Sequence, residues 1–250
     1  MTLKDKHALV TGGGTGIGLA IAHALASQGV EVTITGRRRE VLEEAAGNGL
    51  HAAVMDVTDE AAAKAVIEKA VAARGPIQIC IPNAGIAEGR AMHKSDTEFW
   101  RKIMATNLDG AFYTIRESLT SMRECNWGRV IAISSIAGLK GLRGASAYTA
   151  SKHGLVGLIR GLSEDYLGQS ITFNALCPGY VDTDIITRNV TSISTRMGTS
   201  QKDARALMVE ANPHKRLIEP AEVAAAVMWL CGPGSQSVNG QAIEIAGGQF

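Results

Sequence analysis

Short, nearly continuous apolar runs alternate along this chain with longer stretches in which apolar residues recur at helical spacing. His7–Thr11 reads as a strand and Ile17–Gln28 as an alanine-rich helix. Glu31–Thr35 with Glu40–Ala46, and His51–Met55 with Asp59–Ala73, repeat the pair, and Ile77–Ile81 follows as a fourth strand. Ser95-Asp96-Thr97-Glu98 has the spacing of a capping box and opens a long helix toward Arg123. Val130–Ser134 reads as a fifth strand, Tyr148–Leu167 as a helix and Ile171–Cys177 as a sixth strand. A helix from Ala221, behind Pro220, and a last strand near Ala242–Ile245 complete the pattern.

Alternation of this kind implies right-handed crossovers, and therefore a parallel sheet covered by helices on both faces. A closed eight-stranded barrel alternates in the same way. The glycine-rich turn after the first strand favours the open, doubly wound sheet, so the expected architecture is one α/β domain over residues 1–250. The stretch from Asp182 to Arg216 breaks the rhythm. It is polar, carries Arg188, Arg196, Lys202, Arg205, Lys215 and Arg216, and reads as an inserted lid.

Composition narrows the classes. At 250 residues, with 46% hydrophobic and 20% charged positions, the chain can bury a sizeable core and is not a disordered segment. Lysine and arginine number 25 against 24 acids, so the net charge of +1 offers no field for nucleic acid or an anionic membrane. Aromatics at 4% supply no platform for base stacking. No stretch reaches the ~18 apolar residues of a membrane span. The apolar run after the first residues is too brief for a signal-peptide core, and a cytoplasmic location is expected. Cys80, Cys125, Cys177 and Cys231 are 45 or more residues apart and the six histidines form no cluster, so no metal is expected.

Two groups of residues suggest chemistry. Thr11-Gly12-Gly13-Gly14-Thr15-Gly16-Ile17-Gly18 lies between the first strand and the first helix. A diphosphate needs a tight turn, a close backbone approach and a helix N-terminus, and Gly12, Gly16 and Gly18 fall where those needs arise. Glycines serving turn geometry alone are the alternative. Further on, Tyr148 and Lys152 are four apart and share one helix face. A phenol titrates near ~10, too high for neutral acid–base work, and a nearby ammonium favours its phenolate. Ser135 lies 13 residues before Tyr148 at the end of the fifth strand, with Ser134 as its neighbour and competitor.

The T-G-x-x-x-G-x-G spacing is joined by Pro82-Asn83-Ala84-Gly85, Asn107-Leu108-Asp109-Gly110, Tyr148-Thr149-Ala150-Ser151-Lys152, Pro178-Gly179 with Thr183, and Asn239-Gly240-Gln241. In this order, over nearly the whole chain, these segments resemble the short-chain dehydrogenase/reductase family. The overall look is similar to its bacterial 3-oxoacyl-thioester reductases and 3-hydroxyacyl dehydrogenases. Two positions depart from the family pattern: Pro82 stands where an asparagine is usual, and Ala246 where an aspartate is common.

The resemblance implies a Rossmann-type fold whose cofactor half spans about residues 1–130. It places Gly12, Thr15, Gly16, Ile17, Gly18, Arg37, Asp56, Val57, Asn83, Ala84, Gly85, Tyr148, Lys152, Pro178, Gly179, Val181 and Thr183 against a nicotinamide dinucleotide. Asp56-Val57 resembles the pair that contacts adenine. Gly36 stands where an aspartate would select NAD(H), and Arg37, Arg38 and Arg39 follow it. Resemblance and charge both favour NADP(H), with Arg37 as the contact, while Thr15 adds no basic support and NAD(H) stays open.

The resemblance further implies that Tyr148 is the acid or base toward the substrate oxygen and that Ser135 orients the carbonyl. Lys152 would hold the nicotinamide ribose and bias Tyr148, and Asn107 would anchor a proton-relay water. By family position, Ile86, Ala87, Leu139, Leu142, Arg143 and Tyr180 shape the substrate pocket with part of the lid. The implied substrate is a small-molecule carbonyl or alcohol, foremost a 3-oxoacyl thioester or similar small ketone. A general ketone, secondary-alcohol or cyclic-alcohol dehydrogenase is the alternative, and a non-catalytic NAD(P) sensor the alternative of another class. The resemblance also implies a homotetramer, with Ala105, Leu108 and Phe112, then Leu155, Leu158 and Leu162, as apolar faces suited either to subunit pairing or to the monomer core. The Ile243–Phe250 segment is a further candidate contact.

Overall fold

The apolar runs become seven strands: β1 (His7–Thr11), β2 (Glu31–Gly36), β3 (Leu50–Val54), β4 (Ile77–Ile81), β5 (Gly128–Ile133), β6 (Ile171–Pro178) and β7 (Ala242–Ile245). Between and after them lie α1 (Gly16–Ala26), α2 (Arg39–Ala45), α3 (Glu60–Arg74), α4 (Thr97–Met104), α5 (Gly110–Met122), α6 (Ser146–Asp165), α7 (Asp184–Met197), α8 (Gln201–Ala211) and α9 (Pro220–Cys231). The computed structural model describes residues 2–249. Met1, Phe250 and the side chain of Arg196 lie outside the described residues, and with them the last residue of the candidate contact segment and one lid arginine.

All strand pairs are parallel, in the order β3-β2-β1-β4-β5-β6-β7, so the sheet is open and doubly wound rather than a barrel. Every residue of β1, β5 and β6 is buried, as central strands covered on both faces require. The edge strand β3 instead alternates between covered and open positions. Successive side chains point to opposite faces, so Ala8, Val10, Ile131 and Ile133 pack with α1 and α9, while Leu9, Val130 and Ala132 pack with α5 and α6. The order reverses between β1 and β4, and the crevice at the strands' C-terminal ends there is where such sheets bind ligands.

Three local differences from the sequence pattern have clear causes. Asp96, not Ser95, caps α4, accepting the Phe99 N–H at 2.7 Å. The long helix toward Arg123 is interrupted by a π turn at Ala105–Asp109. The Asp182–Arg216 stretch is a helical hairpin, not a loop. Its α7 and α8 bury Ile186, Val190, Ala204 and Met208 with Leu217 in a small core of their own. Arg205 pairs with Asp182 at 2.8 Å, Lys215 with Glu210 at 2.8 Å and Arg216 with Glu222 at 2.5 Å, so three of the lid's five described basic side chains are answered locally.

The apolar faces of the middle helices are largely spent inside the chain. Leu155 is buried in the core, and Leu108, Leu158 and Leu162 pack against it, whereas Phe112 is 41% exposed. The four cysteines are free, and burial pushes the thiols of Cys80 and Cys231 up to about 12.

At the opposite end of the sheet, His7 is buried, with Nδ1 2.8 Å from the Gly75 carbonyl and Nε2 2.8 Å from Thr33 Oγ1. The carbonyl can only accept, so Nδ1 carries the proton and Nε2 accepts from the Thr33 hydroxyl. Burial, with Arg74 nearby, holds the imidazole below its ordinary 6.5. A group with a depressed folded value leaves stability intact above the unfolded value and removes it as pH falls through the folded one. Urea unfolding should therefore show the wild type losing more stability between pH 7 and pH 5 than His7→Gln; equal losses would remove His7 as the cause.

Candidate active site

The phosphate turn is held from two strands. Thr11 Oγ1 accepts the N–H groups of Asn83 and Ala84, both at 3.0 Å, and Asn83 Nδ2 donates to the Thr11 carbonyl at 2.8 Å. This clasp ties the end of β1 to the loop after β4. Pro82 keeps the strand pairing through its carbonyl, which accepts the Ile133 N–H at 2.9 Å.

The turn fits a dinucleotide. Gly12 has φ +64°, a conformation that glycine adopts readily, and a Cβ on Gly18 would stand 2.3 Å from the Gly12 carbonyl oxygen. Thr15 caps α1 without a side-chain bond, and the first turn holds no acid. First-turn amides thus remain for an anion, beside Thr183, whose methyl would lie 3.1 Å from a Cβ on Gly16. Asp56 is fixed by accepting the backbone N–H of Thr58 at 3.0 Å, and Val57 is buried where α5 begins, close to Gly110. Arg37 is exposed just beyond β2.

A cavity of about 310 Å³ opens over the ends of β5 and β6. Ile17, Asn83, Gly85, Ile86, Ala87, Ser135, Leu142, Arg143, Tyr148, Lys152, Pro178, Gly179, Tyr180, Val181 and Thr183 meet on its wall. Gly12, Thr15, Gly16, Gly18, Arg37, Asp56, Val57 and Ala84 lie outside that wall. Leu139 is placed elsewhere: after the 3-10 turn Ile136–Gly138 it packs against the core beneath α6. The part of the lid expected at the pocket, which the sequence pattern leaves unnamed, is chiefly Ile185, Ile186, Asn189, Ser192, Ile193 and Met208 of the hairpin. Their signal was the helical spacing of Ile186, Val190 and Ile193.

Ser135 Oγ accepts the Ala137 N–H at 3.1 Å and shares the cavity wall with Tyr148, whereas Ser134 donates to the Lys152 carbonyl at 3.3 Å. Ser134 therefore braces α6, and Ser135 is the serine beside the tyrosine. Lys152 is 4% exposed; its Nζ donates to the Ile133 carbonyl at 2.9 Å and lies 6.0 Å from the centre of the Tyr148 ring. Burial brings this ammonium down to about 8 and pushes the Tyr148 phenol above its ordinary value. Among the protein's own groups, burial is the largest influence on the phenol, and it acts against the phenolate that a nearby ammonium would favour.

The π turn carries Asn107 into the interior. Its Oδ1 accepts the Ile86 N–H at 2.8 Å, while Nδ2 donates to the Ile86 carbonyl and to Ser151 Oγ, each at 3.0 Å. The side chain holds the loop after β4 against α6, and its Oδ1 keeps a second acceptor site.

An anion cradle at the switch point leads into a cavity floored by a serine–tyrosine pair, an arrangement suited to moving a hydride to or from a carbonyl while a proton is exchanged with its oxygen. This defines a nicotinamide-dependent oxidoreductase. A family model described as short chain dehydrogenase matches residues 6–193, and the chain belongs to that family. It is 34% identical to an acetoacetyl-CoA reductase of Rhizobium meliloti, over 98% of this chain and 99% of the relative. It is 33% identical to a D-beta-hydroxybutyrate dehydrogenase of Cupriavidus necator, over 98% of each. A solved single-residue variant of actinorhodin polyketide ketoreductase with NADPH superposes with a TM-score of 0.93 at 33% identity, covering 98% of this chain and 97% of that one. The protein is an enzyme that transfers a hydride between a nicotinamide cofactor and a carbonyl or secondary alcohol.

Proposed function

We propose that the enzyme reduces a 3-oxoacyl thioester, or a similar small ketone, to the secondary alcohol with NADPH. The observation that carries this reading is Tyr148 beside Ser135 in a cavity whose wall also holds Ile86, Leu142, Tyr180, Ile186, Ile193 and Met208, where burial pushes the phenol up and so keeps it neutral. A neutral phenol is the form a general acid needs in the reductive direction. Tyr148 gives its proton to the carbonyl oxygen, and Ser135 holds that oxygen and polarises the bond. Lys152 fixes the nicotinamide ribose, and Asn107 anchors the water that returns a proton. The cofactor, when bound, supplies the hydride; the protein's share is placement and electrostatics.

Arg37, beyond Gly36, supports NADPH over NADH, as does the NADPH of the solved relative. A free hydroxy acid is the second reading, favoured by Arg143, which lines the cavity and has no hydrogen-bond or ion-pair partner among the described residues. Absorbance at 340 nm with each cofactor, acetoacetyl-CoA and acetoacetate decides between them. Fast NADPH oxidation with the thioester is expected; turnover with the free acid and NADH alone would overturn the reading. The exposed Phe112 supports a homotetramer built through α5, and light scattering should return four subunits' mass rather than one.

A further inference from the structure

We infer that Arg101, on the last turn of α4, joins Arg37 in a phosphate cleft that takes the ribose 2′-phosphate of NADP(H). The inference rests on the NADP(H) preference proposed above. A second cleft, of about 420 Å³, lies beside the catalytic cavity and is lined by Arg37, Thr58, Glu98, Arg101 and Lys102, with Ile86 shared between the two. Ile86 is the residue that Asn107 clamps, so one extended ligand can pass along that clamped segment from the Lys152 side to the arginines.

The charges in this cleft are unevenly answered. Lys102 Nζ is 2.6 Å from Glu88 and is neutralised there. Arg37 and Arg101 have no hydrogen-bond or ion-pair partner among the described residues, and Glu98 is the acid that lines the cleft with them. A cation on the last turn of a helix is favoured by the helix dipole, which accounts for Arg101 alone. It does not account for a second guanidinium arriving from the end of β2 at the same cleft. Two unanswered guanidinium groups repel each other, and a phosphomonoester dianion lying between them relieves that repulsion while accepting from both. Thr58, whose hydroxyl donates to Asp56 at 2.8 Å, lines the same cleft. Arg37 then sets the phosphate against the ribose, and Arg101 reaches it from the opposite wall.

The same phosphomonoester chemistry occurs on the 3′-position of coenzyme A, so the test separates the two sources. Binding of 2′,5′-ADP, 3′,5′-ADP and 5′-AMP is measured by calorimetry on the wild type, Arg37→Ala and Arg101→Ala, with melting curves to confirm that each variant is folded. The expected result is that wild type prefers 2′,5′-ADP, and that Arg101→Ala weakens it about tenfold while leaving 5′-AMP unchanged. If Arg37→Ala weakens 2′,5′-ADP and Arg101→Ala does not, the role of Arg101 is overturned and the cofactor preference stands. If wild type holds 2′,5′-ADP no better than 5′-AMP, the NADP(H) reading itself fails. Preferential binding of 3′,5′-ADP that depends on both arginines would overturn the cofactor assignment of the cleft.

Discussion

Tyr148→Phe lowers kcat for ketone reduction by about 10²–10⁴-fold while the dissociation constant for NADPH stays within about twofold. The size follows from the lack of a substitute. Ser135 is a poor acid, and Lys152, although brought to about 8, is turned to the Ile133 carbonyl at 2.9 Å rather than into the position of the phenol. Phenylalanine keeps the ring that fills this part of the wall, so the cavity and the cradle persist. Stopped-flow single turnovers separate the chemical step from binding and report it directly. Retained turnover would move the acid to Tyr180, the other phenol on the cavity wall.

Gly18→Ala should abolish tight cofactor binding and destabilise the fold, against what helix propensity alone predicts. Alanine in a helix is favoured over glycine by about 1 kcal/mol. At this position the added Cβ would sit 2.3 Å from the Gly12 carbonyl oxygen and 2.5 Å from Asn83 Nδ2, so the turn and the Thr11–Asn83 clasp must give way. Overpacking of this kind costs about 1–3 kcal/mol, which outweighs the propensity gain. NADPH fluorescence titration should show at least about tenfold weaker binding, and urea unfolding a net loss of stability. A stabilised variant with unchanged affinity would show that the turn relaxes freely and that its close approach carries no function.

Much of this arrangement was legible in the sequence because strands and catalytic groups announce themselves locally. Ala242–Ile245 matches β7 at both ends, and the strand–helix rhythm gives the open sheet once the glycine turn is weighed. Ser135, Tyr148 and Lys152 stand together because the end of β5 and one face of α6, 13 residues on, meet at the cavity. The hairpin was harder. Its polar surface conceals the apolar spacing of Ile186, Val190, Ala204 and Met208, and its own small core forms only when α7 folds back on α8. Leu139 packs against the core because of the three-residue turn before it, which local spacing does not reveal. Helix spacing shows that Lys152 is near Tyr148 but not how dry the site is, so the burial that pushes the phenol up is not legible in the sequence. Arg101 carries no local signal, since its counterpart Arg37 lies on a distant element.

The π turn has a consequence for how this helix tolerates change in length. One extra residue in a helical turn rotates everything beyond it by about 100°. In the protein, Phe99 and Ile103 face inward before the turn, and Ile115, Leu119 and Met122 face inward after it. The two segments are thus set in different phases, and the turn is the joint that reconciles them. Excising a single residue between Ala105 and Asp109 would leave a straighter, more regular helix, yet one of the two inward faces would swing toward solvent. A lineage that keeps both faces must keep the irregularity, so the chain's length at this joint is held by helical phase as firmly as its composition is held by chemistry.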